Sequence, residues 1–297
     1  MASYAPGYDW QDGIEHAIKQ QLEYQCHLKT FYMNSAQIQN SDQLEQLGLK
    51  AKEAIEKNNP DIVIVSDENA VKYVLEAYFR NHSLPFVFCG LNNSGKLYGL
   101  PYSNTTGMLE IAPTKTFLEL LLRSHFKKPH VAYLTTQGTT ASKNIQGFHQ
   151  AVKLLKVNSS TFRAYDQQDW RQLYRQLQEN SDVNIIILGN FIALPEWDSQ
   201  RNLQWVKMHQ QKLTISTQIE MMPYAALGMT KSATEQGTWA GKTALAVLND
   251  VPINQLSIVP NQQFTTWINP LLSATVQDQI PRRIMNQAIH FNQALNP

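Results

Sequence analysis

Residues 59 to 90 read NPDIVIVSDENAVKYVLEAYFRNHSLPFVFCG, and this stretch decides the fold class. The run DIVIVS (61 to 66) is β-branched and apolar on both faces, as a short parallel strand covered by helices on both sides must be. Val71, Val74, Leu75, Tyr78 and Phe79 then recur at spacings of three and four, which is the pattern of an amphipathic helix. LPFVFCG (84 to 90) is a second buried strand. Strand, helix and strand in this order make a right-handed βαβ unit with parallel strands.

The same alternation extends in both directions. Upstream, HLKTFYM (27 to 33) reads as a strand and residues 42 to 57 as a helix. Before them, SYAPGYDWQDGIEHAI (3 to 18) carries a turn at Pro6 and Gly7 and an N-cap at Asp9. Ile14, Ala17 and Ile18 then fall at helical spacing. Downstream, after a Gly, Asn and Ser-rich stretch (92 to 107), come a helix around Phe117 to Leu122, the strand HVAYLTT (130 to 136) and a helix from Ser142 to Leu155. STFRAY (160 to 165) is a strand, and Trp170, Leu173, Tyr174 and Leu177 mark the next helix. VNIIILG (183 to 189), a helix over 199 to 210 and LTISTQI (213 to 219) follow. The tail adds a helix (235 to 250), the strand FTTWIN (264 to 269) and a helix (280 to 291) with Pro281 in its first turn. The reading is an α/β protein of two doubly wound, Rossmann-like lobes, the tail returning to complete both.

Composition bounds the function. The chain has 297 residues, 43% of them hydrophobic, which is enough for about two domains. With 25 Lys and Arg against 24 Asp and Glu, the net charge of +1 offers no field to attract nucleic acid or an anionic membrane. The basic pairs Lys127–Lys128 and Arg282–Arg283 read as solvated surface. No apolar run approaches the roughly 18 residues of a membrane span. Two cysteines, Cys26 and Cys89, allow at most one disulfide and exclude a cysteine-built zinc site.

In open parallel sheets, ligands gather beyond the carboxyl ends of the strands, where loops feed helix N-termini. Here those loops carry Ser66, Asp67, Glu68 and Asn69; Gly90, Leu91, Asn92 and Asn93; Thr135 through Thr140; and Asn190 with Phe191. Each such residue is also what an N-cap requires. Their presence after strands of both halves is the stronger signal, and it points to recognition by amides and hydroxyls. No GxGxxG, phosphate loop, GxSxG elbow or HExxH is found, and the adjacent carboxylates Asp67 and Glu68 diverge. Neither catalytic residues nor a metal or cofactor is expected.

The order of SYAPGYDWQDGI, NPDIVIVSDENA, LPFVFCGLN, TTGMLE, KPHVAYLTT, PYAALGMTKSATEQGTWAGKTALAVLND and INPLLSATVQDQIPRRIMNQA resembles, over the whole chain, ABC-transporter substrate-binding proteins of the type I periplasmic-binding fold. The related branch includes aromatic amino acid binders. The resemblance implies a non-enzymatic, monomeric, extracytoplasmic protein that takes a small ligand, such as an amino acid, in a cleft between lobes and presents it to a transporter permease, without nucleic acid. Relatives with the SYxPGYxW pattern also serve as sensor modules of membrane-anchored signalling proteins.

Carried onto this chain, crossovers fall near Glu110 to Thr114, Pro223 to Leu227 and Val251 to Asn261. They divide it into residues 1–112 with 224–252 and residues 113–223 with 253–297. The implied ligand contacts are Tyr8, Trp10, Asp67, Asn69 and Asn92 in the first lobe, Thr136, Thr140 and Asn190 in the second, and Tyr224 at a crossover. Asp67 or Glu220 would meet a ligand ammonium. The family also carries a leader and a first strand ahead of SY, so a missing central strand with exposed neighbours is expected. Strand order 2-1-3-4-5 would hold Cys26 and Cys89 roughly 14 Å apart, beyond the reach of a disulfide.

Overall fold

The structure, a computed structural model, describes residues 1–35, 38, 40–92, 94–125, 129–192 and 194–292, apart from the side chains of residues 123–125 and 139–140. Lys127, Lys128 and Asn93 lie outside the described residues. The chain forms two compact units, Met1–Ile111 with Ser232–Gln263 and Ala112–Lys231 with Phe264–Pro297.

In the first unit, strands β1 (Val63–Ser66), β2 (Phe86–Asn92) and β3 (Thr105–Glu110) run parallel in that order, with Val259–Pro260 parallel to β3 at the edge. Alternation along β2 sorts its side chains by face. Phe86 and Phe88 join Val71, Val74 and Leu75, while Val87 and Cys89 join Ile14, Ile18 and Ala240. A strand buried on both faces must be apolar throughout, which is why FVFC carries no polar break. Helix α1 (Asp9–Leu22) supplies Ile14 and Ile18, and helix α2 (Ser41–Asn58) starts on an Asn40 cap whose side chain accepts from Gln43 N. The helix expected after β1 begins as Asp67–Ala70 and continues through a π-helical segment, Val71–Glu76.

The expectation of a missing central strand is corrected. Ala2 bridges in parallel to both Tyr32 and Ser66. Its N–H donates to Phe31 O (2.9 Å), its carbonyl accepts from Met33 N (2.8 Å), and Met1 O accepts from Ser66 N (3.0 Å). Residues 1–3 therefore lie between Tyr32 and β1, and with residues 1–3 counted first, the segment at Tyr32 second, and β1, β2 and β3 third to fifth, the spatial order is 2-1-3-4-5. Cys89 is buried on β2, Cys26 packs against the same apolar cluster, and both thiols are unbonded.

The second unit repeats the order. Strands β4 (His130–Thr136), β5 (Asn158–Ala164), β6 (Ile185–Leu188), β7 (Leu213–Ser216) and β8 (Leu227–Lys231) run parallel as β5-β4-β6-β7-β8. Phe264–Ile268 adds antiparallel to β8, and Ile289–His290 adds parallel beyond it. The tail helix is accordingly shorter than its periodicity predicts, Arg282–Gln287, and both Arg282 and Arg283 are exposed.

Two passages between the units differ from their expected places. The second follows β8 instead of preceding it, because β8 pairs with β7 and with Phe264–Ile268 through the register Lys231↔Phe264. The third falls after Gln263. Residues 253–263 stay with the first unit because Val259–Pro260 pairs with β3 and the Glu235 carboxylate accepts from Gln262 N (2.7 Å) and Gln263 N (2.9 Å). Among the described residues no helix is long and apolar enough to cross a membrane, and no His, Cys, Asp and Glu group is placed to hold a metal ion.

Candidate functional site

At the carboxyl end of the first unit's sheet, residues following three neighbouring strands come together. Residues 1–3 lead into Tyr4 and Tyr8, whose ring centroids are 5.0 Å apart at 60°. Strand β1 leads into Asp67, Glu68 and Asn69, and β2 ends at Asn92. Asp67 is 2% exposed and holds a left-handed backbone, φ +66°, that side chains other than glycine seldom adopt. Its Oδ1 accepts from Trp10 Nε1 at 3.2 Å. Directly across, Gly90 is also left-handed (φ +69°), and a Cβ there would meet Asp67 Oδ1 at 2.9 Å. The carboxylate thus occupies space that only a glycine leaves open. Gly90 N donates in turn to Gln236 Oε1 (2.9 Å).

The supporting bonds are dense. Ser3 Oγ donates to Ser66 O (2.7 Å) and accepts from Ala70 N (2.9 Å), and Ser66 Oγ donates to Gln11 Oε1 (3.0 Å). Asn69 Nδ2 donates to Ser35 Oγ (2.9 Å), and Asn92 Nδ2 donates to Glu68 Oε2 (3.2 Å). Burial pushes the Tyr4 phenol far above its ordinary value, and the neighbouring charges of Asp67 and Glu68 push it further. Burial, then Asp67, likewise raises the Cys89 thiol.

Of the residues predicted from sequence, Tyr8, Trp10 and Asp67 are brought together here, with Asn92 reaching Glu68. Trp10 serves two ends: it packs against the Ile14 and Ile18 cluster and spends its N–H on Asp67. Asn69 turns toward Ser35. Tyr4 and Glu68 were absent from the predicted contacts. Tyr4 sits four residues before Tyr8 in the opening loop, and Glu68 directly follows Asp67, so position beside predicted residues was the only signal.

In the second unit, Thr136 and Asn190 meet at the carboxyl ends of β4 and β6, Thr136 Oγ1 donating to Asn190 O at 3.3 Å. The side chain of Thr140 lies outside the described residues. Glu220 is exposed on the turn Ile219–Tyr224. Tyr224 is corrected from a crossover position to the core of this unit. It is 3% exposed and its hydroxyl accepts from Trp197 Nε1 (3.1 Å). It packs edge-on against Phe191 and Trp197 in a cluster that also takes in Trp170 and Tyr174. Aromatic edge-to-face packing of this kind stabilises a core.

No protein-family model and no curated protein matches the sequence. Solved structures do match. A substrate binding protein with adhesive properties from Clostridium difficile, in its ligand-free, open form, aligns with a TM-score of 0.75 at 10% identity, covering 98% of this chain and 97% of that one. An ABC domain from Streptococcus pneumonia in complex with L-Trp aligns with a TM-score of 0.64 at 15% identity, over 97% and 98%. A LacI family transcriptional regulator from Bifidobacterium animalis subsp. lactis aligns with a TM-score of 0.57 at 14% identity, over 89% and 94%. With both sheets ordered 2-1-3-4-5 and three passages linking the units, the chain has the type I periplasmic-binding-protein fold.

Proposed function

We propose that the protein is an extracytoplasmic solute-binding protein that captures a small ligand, an amino acid or similar compound, and hands it unaltered to an ABC transporter permease. The observation that carries the reading is the Asp67 constellation. A buried carboxylate in a left-handed backbone, with Trp10 donating to it and Tyr4 beside it, stands at the carboxyl ends of parallel strands, where ligands of such sheets collect. The likeness to a substrate binding protein and to an ABC domain in complex with L-Trp adds support.

A second reading, the ligand-sensing domain of a membrane-anchored signalling protein, uses the same site. It stands beside the first because a LacI family transcriptional regulator shares the fold, so the fold by itself does not assign transport. Native mass spectrometry of the purified protein, followed by thermal-shift screening against amino acids, small peptides, purines and sugars, tests ligand capture. A guest recovered intact supports it, and turnover of the guest refutes it. Stimulation of a reconstituted permease by the loaded protein then separates transport from sensing.

A further inference from the structure

We infer that the second unit holds an oxyanion site apart from the strand ends described above: Arg171 and Arg201, set in place by Gln167 and Asn202, take a phosphate or carboxylate group. The inference goes beyond the solute-binding reading and does not depend on it. Three observations carry it.

The first is the way Arg171 is held. It lies in the helix Gln167–Glu179, and Asn202 lies in the helix Ser199–His209. Arg171 Nε donates to Asn202 Oδ1 (2.6 Å), and its Nη2 donates to Gln167 Oε1 (3.0 Å). Asn202 is wholly buried, and its Nδ2 donates to the same Gln167 oxygen (3.4 Å), which also accepts from Asp198 N (3.3 Å). Trp205 Nε1 donates to Arg171 O (3.2 Å). One edge of the guanidinium is thus fixed by the fold, while Nη1 makes no hydrogen bond among the described residues.

The second is the charge of the acceptors. Both are amides, where a glutamate or an aspartate of the same shape would accept the same bonds and neutralise the cation. Glu76 does so for Arg80 and Glu15 for Lys19, each from four residues earlier. Gln167 stands at that same spacing from Arg171. Neutral acceptors fix the direction of the guanidinium and leave its charge for a guest. The third is Arg201, the neighbour of Asn202 in the chain. It is exposed, and its side chain makes no hydrogen bond or ion pair among the described residues. Burial and then the Arg201 charge work against the charged form of Arg171. Asp198 works for it, but Asp198 Oδ1 accepts from Arg201 N (2.9 Å) as the cap of its helix. An oxyanion shared by the two arginines relieves their repulsion, and the planar fork of a guanidinium matches two oxygens of a phosphate or carboxylate.

The test is isothermal titration of the full chain with inorganic phosphate and with succinate, at constant ionic strength in chloride. At least one of the two should bind with a Kd of about 1 mM or tighter, and which one binds tells a phosphate from a carboxylate guest. Arg171→Gln and Arg201→Gln should each weaken that binding about fivefold or more. Gln167→Glu separates binding from structure. It keeps the acceptor oxygens and supplies the ion pair that the helix lacks, so the melting temperature should hold or rise while anion binding falls by about the same factor. Arg201 is exposed, so its variant keeps the test valid even if Arg171→Gln fails to fold. The double variant Arg282→Gln/Arg283→Gln, which removes an exposed basic pair elsewhere in the unit, should bind like the wild type. No binding of either anion at about 10 mM, undiminished binding in Gln167→Glu or Arg201→Gln, or an equal loss in the Arg282→Gln/Arg283→Gln control overturns the inference and leaves the solute-binding reading standing.

Discussion

Replacing Gly90 by alanine tests the core of the site at a single atom. Two costs follow from the structure. The backbone at φ +69° is left-handed, which costs an L-residue about 1–2 kcal/mol. The new methyl would lie 2.9 Å from Asp67 Oδ1 and 3.2 Å from its Cγ, so the carboxylate must retreat and loosen its bond from Trp10, adding about 1–2 kcal/mol. Gly7 in the same unit is the control. Its φ of +86° carries the same backbone cost, but nothing lies within 4 Å of its Cβ position. Gly90→Ala should therefore destabilise by about 3 kcal/mol and Gly7→Ala by about 1–2 kcal/mol. For a unit of this size the first corresponds to a fall of roughly 6–10 °C in melting temperature. Urea titrations followed by tryptophan fluorescence measure both, and guest titrations should show Gly90→Ala losing affinity beyond its loss of stability. Equal destabilisation by the two variants, or unchanged guest affinity in Gly90→Ala, would refute the claim that Asp67 is held against that glycine for binding.

Other expectations are narrower. Glu235→Ala removes the acceptor of two backbone N–H groups at 2.7 and 2.9 Å and should cost about 2–4 kcal/mol by urea titration; a loss below about 0.5 kcal/mol would mean that the third passage is not fastened there. Ser3→Ala strips the buried hydroxyl that joins Ser66 O to Ala70 N and should lower stability by about 1–3 kcal/mol in calorimetry, against no change if residues 1–3 are not the central strand. Glu15 has a lowered carboxyl pKa: burial pushes it up, but Lys19 at 2.7 Å and the Tyr32 hydroxyl outweigh that. A depressed folded pKa stabilises above the unfolded value and is lost as pH falls through the folded one. The stability gap between wild type and Glu15→Gln should thus be full at neutral pH and shrink below about pH 4; a gap that persists there contradicts the assignment.

Much of the fold was legible where burial alone dictates sequence. DIVIVS and HVAYLTT appear as Val63–Ser66 and His130–Thr136, because a strand covered on both faces has little choice of residue. Strand β3 was hidden inside a Gly, Asn and Ser-rich stretch. Its Gly107 is there because the Phe88 ring fills the space a Cβ would need, so a cross-strand neighbour set the residue and local propensity did not. The crossover was expected at Pro223 to Leu227 and β8 was not assigned as a strand; its antiparallel partner, Phe264–Ile268, lies far along the chain, and such pairing leaves no local mark. HLKTFYM was read as a full strand, but its pairing is a single bridge at Tyr32.

The site followed the same logic. Residues at strand ends were predictable because topology places them there, as for Asp67, Asn92, Thr136 and Asn190. Orientation was not. Asn69 turned to Ser35 and Tyr224 entered an aromatic core, choices made by tertiary partners distant in sequence. Glu68 was set aside because adjacent carboxylates diverge. They do diverge, one to Trp10 and one to Asn92, yet both still act on Tyr4.

Crystallisation of the full chain with whichever compound stabilises it most in the thermal screen tests the account most directly. The guest should appear intact at the carboxyl ends of β1 and β2, within contact of Tyr4, Tyr8 and Asp67. A guest bound elsewhere, or recovered as a different molecule, would contradict it.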